Sequence, residues 1–367
     1  MSTTTEPTID EERVGTFAGR LLEAGVAAFE LATIDLGRAL GLYQTLQDGG
    51  PATAGELAAA AGIHPRYARE WLEQQAVAGI VDVAEATDDG DARRYALPAE
   101  HAMVLLDADS LAYLGPISEF IPAIAGVGDD LRAAFRTGDG VPFAAYGIHD
   151  VQAAFNRPMF LNLLTTEWLP AVPGLVDRLS APGAAVTEVG CGEGWAAIAL
   201  ARAFPEVQVF AVDTDEASIA AARRNAAEAG LADRVRFEVG DAAGAVAAEH
   251  AGRYDLVCGF EMLHDVGDPV GVLRAAKQAA KADGVVLFAD ERVPEEFSAP
   301  GELLDRFFYS ASVLHCLPVG MADQPSAGTG TVMRPATLER YAADAGCRGV
   351  EVLPIEHDFF RFYRIEI

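Results

Sequence analysis

Val186-Thr187-Glu188-Val189-Gly190-Cys191-Gly192-Glu193-Gly194-Trp195 passes from an apolar strand through an acidic residue into three alternating glycines, and a helix-like segment follows. Glycine is needed where a backbone turns sharply out of a strand and comes close to a ligand, because a side chain would block positive φ or the approach itself. Val207 to Val212 forms a second apolar strand and ends at Asp213, twenty-three residues beyond Gly190. A carboxylate at that point can accept both hydroxyls of a ribose. Loop and aspartate together predict a nucleotide-type ligand at the carboxyl end of a parallel sheet.

The glycine spacing narrows the ligand. Dinucleotide folds use G-x-G-x-x-G to set a pyrophosphate on a helix N-terminus, whereas this loop reads G-x-G-x-G with Glu188 two residues ahead of it. Two carboxylates beside the loop would repel a pyrophosphate and suit a ligand carrying an ammonium and a sulfonium. Here the chain resembles the class I S-adenosylmethionine (SAM)-dependent methyltransferases, whose first motif has the form acidic-x-Gly-x-Gly-x-Gly. The resemblance implies SAM as cofactor. It puts Glu188 near the methionine ammonium, Gly190, Cys191, Gly192 and Gly194 in the loop, Asp213 with Thr214 at the ribose, and Asp241 with Ala242 at the adenine amino group. Phe260 would add a backbone carbonyl or a ring edge.

The later elements fit that frame. Arg234 to Ala242, Tyr254 to Phe260 and Gly284 to Asp290 resemble the family's third, fourth and fifth strands, while Ala217 to Ala229 and Pro269 to Ala282 read as Ala-rich helices between them. Val350 to Ile355 and Asp358 to Ile367 resemble the sixth and seventh, the seventh running antiparallel. The expected fold class is α/β, a Rossmann-like seven-stranded methyltransferase sheet.

Ahead of it, residues 14 to 46 carry a long, largely apolar helical pattern broken by Gly25, Gly37 and Gly41. Thr53 and Glu56 form a capping box at the start of a further helix. Arg66 to Gly79 reads as the next helix, and Ile80 to Val83 with Arg94 to Leu97 as a hairpin, which together make a winged helix. Many winged helices read DNA. Residues 1–100 hold seven Arg against seventeen Asp or Glu, and the hairpin tip Asp88-Asp89-Gly90-Asp91 would meet phosphates with negative charge, so nucleic acid is not an expected partner. The layout instead resembles the N-terminal dimerisation domain of plant-type and bacterial small-molecule O-methyltransferases, which implies a homodimer. Tyr67 to Glu73 and Asp290 to Phe297 resemble a family of prokaryotic winged-helix methyltransferases over nearly the whole chain. The expected domains are residues 1–100 for the helical and winged-helix dimerisation part, 101–180 for a helical connector and cofactor lid, and 181–367 for the SAM-binding domain.

Length and composition agree with two sizeable cores: 367 residues, 51% of them hydrophobic. No apolar run reaches eighteen residues, and the start MSTTTEPTIDEERVG lacks the basic and apolar regions of a signal peptide, so a soluble cytoplasmic protein is expected without membrane partners. Four scattered cysteines predict reduced thiols. The formal charge is −28 and only Lys277 and Lys281 are lysines. Two readings account for this, the acidic surface of a salt-accumulating halophile or a GC-rich coding bias that favours Arg and Ala.

Methyl transfer to a hydroxyl requires an in-line approach and removal of a proton. Glu261-Met262-Leu263-His264-Asp265 follows the fourth strand, at the rim where cofactor and acceptor should meet. By resemblance to small-molecule O-methyltransferases, His264 with Asp265 carries the general base and Asp290 orients it, with Glu291 as substitute partner. A histidine that only closes a loop is the competing reading. For the substrate pocket the candidates are Phe160 and Trp168, equally readable as core aromatics, and Phe308, Tyr309 and His315 from an insertion at about 296–335 that should overlie the carboxyl ends of the strands. His315-Cys316 stands without further ligands, and no metal is expected. Competing functions are a non-catalytic SAM-binding winged-helix regulator, a different SAM-dependent reaction on the same fold, and nicotinamide-dependent oxidoreduction, which the missing G-x-G-x-x-G disfavours.

Overall fold

The computed structural model describes residues 9–245 and 250–367; residues 1–8 of the N-terminal stretch read above lie outside them. The chain divides into two compact units, Met1–Pro122 and Ala123–Ile367, so that the stretch 101–180 is shared between them.

The first unit begins with α1 (Glu11–Ala39), capped by Asp10, whose carboxylate accepts the N–H groups of Glu12 and Arg13. The helix runs straight through Gly25 and Gly37, where the sequence suggested breaks. A glycine costs an exposed helix only about 1 kcal/mol, and at Gly37 a Cβ would stand 2.4 Å from the Trp71 ring, so the missing side chain is what lets the two pack. The break comes at Gly41, with φ +66°. Then follow α2 (Leu42–Gly49), α3 (Ala54–Ala61) behind the Thr53/Glu56 capping box, α4 (Pro65–Val77), and the antiparallel hairpin β1 (Asp82–Glu85) and β2 (Arg94–Ala96). Leu42, Tyr43, Leu57, Trp71, Leu72 and Tyr95 form its core. This is a winged helix.

The second unit is a seven-stranded sheet: β3 (Ala185–Val189), β4 (Gln208–Asp213), β5 (Val235–Val239), β6 (Tyr254–Phe260), β7 (Ala280–Glu291), β8 (Gly349–Val352) and β9 (Phe360–Glu366). The spatial order is β5-β4-β3-β6-β7-β9-β8. Strands β3 to β7 pair in parallel, and β9 lies antiparallel between β7 and β8. Every residue of β6 is buried, as a central parallel strand covered on both faces requires. Two apolar clusters fill the two faces, one around Leu200, Leu256 and Phe362, the other around Val257, Leu273 and Tyr363. The chain reverses its direction of winding between β3 and β6, which leaves a crevice at their carboxyl ends.

One further element reaches that crevice. The helix His149–Met159 continues into a π-helical segment, Phe160–Trp168. Among the described residues no helix is long and apolar enough to cross a membrane.

Candidate active site

A cavity of about 690 Å³ opens at the carboxyl ends of β3 to β6. The loop after β3 is tied down by its backbone: Cys191 N–H donates to Val212 O at 3.1 Å, Gly192 N–H to Asp213 Oδ2 at 2.8 Å, and Gly194 N–H to Cys191 O at 2.8 Å. All three glycines have positive φ, but for different ends. A Cβ on Gly194 would strike Phe237 at 2.6 Å and one on Gly190 would strike Met262, whereas one on Gly192 would meet nothing within 4 Å and point into open space. Gly194 therefore serves packing and does not line the cavity, while Gly190, Cys191 and Gly192 do.

Around this loop stand Glu188, Asp213, Thr214, Asp241, Ala242 and Phe260, all lining the cavity. Glu188, at the end of β3, is 2% exposed and its Oε2 has no hydrogen-bond partner. Burial, with a small contribution from the Asp213 charge, pushes its carboxyl up to about 8. Asp213 is raised as well, by burial, against the hydrogen bonds it accepts from Asp215 and Gly192. Two buried carboxylates held above their usual range, one with an idle oxygen, fit a ligand that brings positive charge.

The histidine lies deeper than the sequence suggested. His264 is 1% exposed and does not line the cavity. Three carboxylates surround it. Its Nδ1 is hydrogen-bonded to Asp290 Oδ1 and lies 3.1 Å from Glu291 Oε2, and its Nε2 lies 3.1 Å from Asp265 Oδ1. Asp265 stands between ring and cavity, which it lines together with Glu261. Burial alone would lower the imidazole pKa, but the charges of Asp265, Glu291 and Asp290 outweigh it and hold the ring well above its usual value. Burial would likewise raise Asp265, and the His264 charge overcomes it and keeps that carboxyl low. Glu261 and Glu291 are both raised, first by burial. Two triads, His264 with Asp265 and Cys316 and His264 with Asp290 and Glu291, each bring donor atoms within 4.8 Å of one another, close enough to hold a metal ion, groupings that the sequence does not suggest.

The substrate-pocket candidates separate. Phe160 lines the cavity. Trp168 is sealed in the core against Phe260 and Phe362, with ring centroids 6.3 and 4.9 Å away, so its core reading holds. The aromatics of the insertion turn away: Phe308 is buried, Tyr309 accepts a hydrogen bond from Arg334 at 2.8 Å, and His315 packs edge-on to Tyr146 at 4.7 Å. Aromatic surface is stabilised by burial, so the insertion shows the cavity other residues, Val319, Ala322, Asp323, Gln324 and Pro325. Asn156, Gln152 and His149 from one helix line it too and were not anticipated. The turn spacing of 149, 152 and 156 was the available signal.

Comparison with known proteins agrees with the geometry. Residues 180–326 match the family model described as a methyltransferase domain, and residues 27–106 match an Rv2258c-like winged HTH domain. The chain is 31% identical over 218 residues to a ubiquinone biosynthesis O-methyltransferase of Leptothrix cholodnii, covering 58% of this chain and 84% of that protein. A second such enzyme, from Bordetella avium, is 31% identical over 56% of this chain and 79% of its own length. Among solved structures the chain superposes on a mitomycin 7-O-methyltransferase with a TM-score of 0.68 at 22% identity, covering 97% of this chain and 99% of the other. For human N-acetylserotonin methyltransferase in complex with SAM the TM-score is 0.64 at 17% identity, over 100% and 99% of the two chains.

Proposed function

The chain belongs to the class I SAM-dependent methyltransferases, and we propose that it methylates a hydroxyl group of a small-molecule acceptor with His264 as general base. The observation that carries the proposal is the carboxylate-held imidazole beside the cavity. Asp290 and Glu291 engage Nδ1, so Nε2 is the nitrogen that can take a proton. Asp265 lies between Nε2 and the cavity and gives the acceptor's proton its route inward.

The residues fit SAM. When bound, SAM supplies an electrophilic methyl group on a sulfonium. In this proposal the idle oxygen of Glu188 takes the ammonium, Asp213 with Thr214 the ribose, Asp241 with Ala242 the adenine amino group, and the open face of Gly192 the closest approach of backbone to ligand. Residues 101–180 contribute a lid through Phe160. A cytoplasmic location belongs to the same proposal and is supported by Cys191, Cys258, Cys316 and Cys347 standing as free thiols.

The test is transfer of labelled methyl from SAM into a host-cell extract at high and low KCl, separated into small molecules, nucleic acid and protein. Label in the small-molecule fraction is expected. Label elsewhere, or none despite calorimetric SAM binding, overturns the reading in favour of another acceptor or a regulator.

We propose further that α1 joins two copies of the chain. Val14, Phe17, Leu21 and Phe29 share one side of that helix and are exposed, Phe29 by 78%. An apolar face of this length is out of keeping with a solvated helix. Leu21→Glu with Phe29→Glu is expected to turn a dimer into a folded monomer in light scattering, since neither side chain belongs to a core. A wild-type monomer would refute the dimer.

A further inference from the structure

We infer that the methyl acceptor carries a basic nitrogen, protonated at neutral pH, and that Glu261 with Asn156 is the seat that selects it. The inference rests on the methyltransferase reading above and names the class of molecule that reading leaves open.

Nine carboxylates and no lysine or arginine stand among the described residues that line the cavity. The chain has 55 acidic residues against 27 Lys and Arg, so at its own ratio about four bases would accompany nine acids. Five of the nine, Glu188, Glu193, Asp213, Asp215 and Asp241, surround the glycine loop and the ends of β4 and β5. The other four, Glu261, Asp265, Asp268 and Asp323, come from the segment after β6 and from the insertion, beyond the cofactor end. His149 is the one lining side chain able to carry positive charge, and Glu193 feels that charge. Nothing among these residues would offset an anion on the acceptor side.

Glu261 is built for a purpose other than packing. It is the only non-glycine among the described residues with positive φ, at 54°, and its N–H is tied to Ala289 O at 2.8 Å. Such strain persists where surrounding structure over-determines it, commonly at functional sites. The Glu261 carboxyl accepts a hydrogen bond from Asn156 Nδ2. Asn156 is 9% exposed, lines the cavity, and leaves Oδ1 without a partner. Burial holds the Glu261 carboxyl up at about 8, and a cation seated beside it would favour the carboxylate; with the idle amide oxygen and Asp265 on the same wall, the set offered to such a ligand is then one of acceptors. An ammonium brings three donors and no acceptor, which is the complement of this set. Phe143, Phe160, Met262 and Val319 provide apolar surface for the rest of the molecule.

Three catechols with the same ring hydroxyls test the charge: dopamine, 4-ethylcatechol and 3,4-dihydroxyphenylacetate, whose side chains are cationic, uncharged and anionic. Each is titrated calorimetrically into the full chain loaded with S-adenosylhomocysteine. Dopamine is expected to bind about tenfold tighter than 4-ethylcatechol, with the anion weakest, because charge-assisted hydrogen bonds are roughly twice as strong as neutral ones. Glu261→Gln, or Asn156→Ala should that variant misfold, is expected to abolish most of the dopamine advantage and leave the affinity for S-adenosylhomocysteine unchanged. Equal binding, tighter binding of the anion, or no binding of any of the three overturns the inference. These titrations need no turnover, so a failed transfer assay and a failed charge preference are told apart. A labelled small-molecule product retained on an anion exchanger would overturn the charge assignment and leave methyl transfer standing.

Discussion

Asp213→Ala weakens SAM binding by about 1–3 kcal/mol, roughly 5- to 150-fold in Kd, with the fold intact. The size follows from the two tasks of one carboxylate. Its Oδ2 accepts the Gly192 N–H at 2.8 Å and its Oδ1 the Asp215 N–H at 2.9 Å, so it pins the glycine loop to the end of β4. It also lines the cavity, where the ribose hydroxyls would find it. Alanine removes the ligand contact and frees the loop together. Asn at the same position separates the tasks, because an amide keeps one acceptor oxygen and turns an NH2 towards the second backbone donor. Asn is therefore expected to lose less affinity than Ala, because it keeps one of the two loop contacts, whereas a purely electrostatic role would give the two variants the same loss irrespective of loop order. Calorimetry gives the Kd, and hydrogen exchange at Gly192 gives the loop. An unchanged Kd for Asp213→Ala would remove this residue from the cofactor site.

What could be read from the sequence was what neighbouring residues do together. The strand-to-loop run at Val186 to Gly194 and the aspartate ending β4 are each local, and a parallel strand order brings them side by side without further information. The winged helix was local in the same way, through the Thr53/Glu56 capping box and the acidic hairpin tip. Where several elements converge, the sequence was silent. Asn156 meets Glu261 across 105 positions, and the strained φ of Glu261 leaves no mark in residue type, although the residue opens a run that was singled out for its histidine. The depth of His264 depends on Asp290 and Glu291 from β7 closing on one ring nitrogen and Asp265 on the other, a balance of burial against charge that no spacing encodes. The insertion misled for a simpler reason. Its aromatics look like ligand surface, but burying them stabilises the fold, so they turned inward and left Asp323 and Gln324 at the cavity.

His264→Gln should lower kcat by about 10²- to 10⁴-fold, the range of a positioned general base, without changing the SAM Kd. Gln is the informative variant because Ala would leave Asp265, Asp290 and Glu291 facing one another in a buried space with no partner, which destabilises strongly. The decisive readout is the pH profile. A base must be unprotonated before it can accept a proton, and the surrounding carboxylates hold this imidazole well above its usual value. Wild-type kcat is therefore expected to climb through the alkaline range as the ring loses its resting proton, and the Gln variant to lack that limb. Stability moves the opposite way. A histidine whose folded pKa is raised contributes stability that is complete below its unfolded value, about 6.5, and is lost as pH rises through the folded value. The proton that must leave for catalysis is the one that holds the cluster together, so wild-type melting temperature should fall along the limb where kcat rises, and Asp290→Asn, which weakens the grip on Nδ1, should move both limbs to lower pH. An activity limb that persists in His264→Gln would transfer the base to a carboxylate on the cavity wall, Asp265 or Glu261, and leave His264 as the counter-charge that holds them.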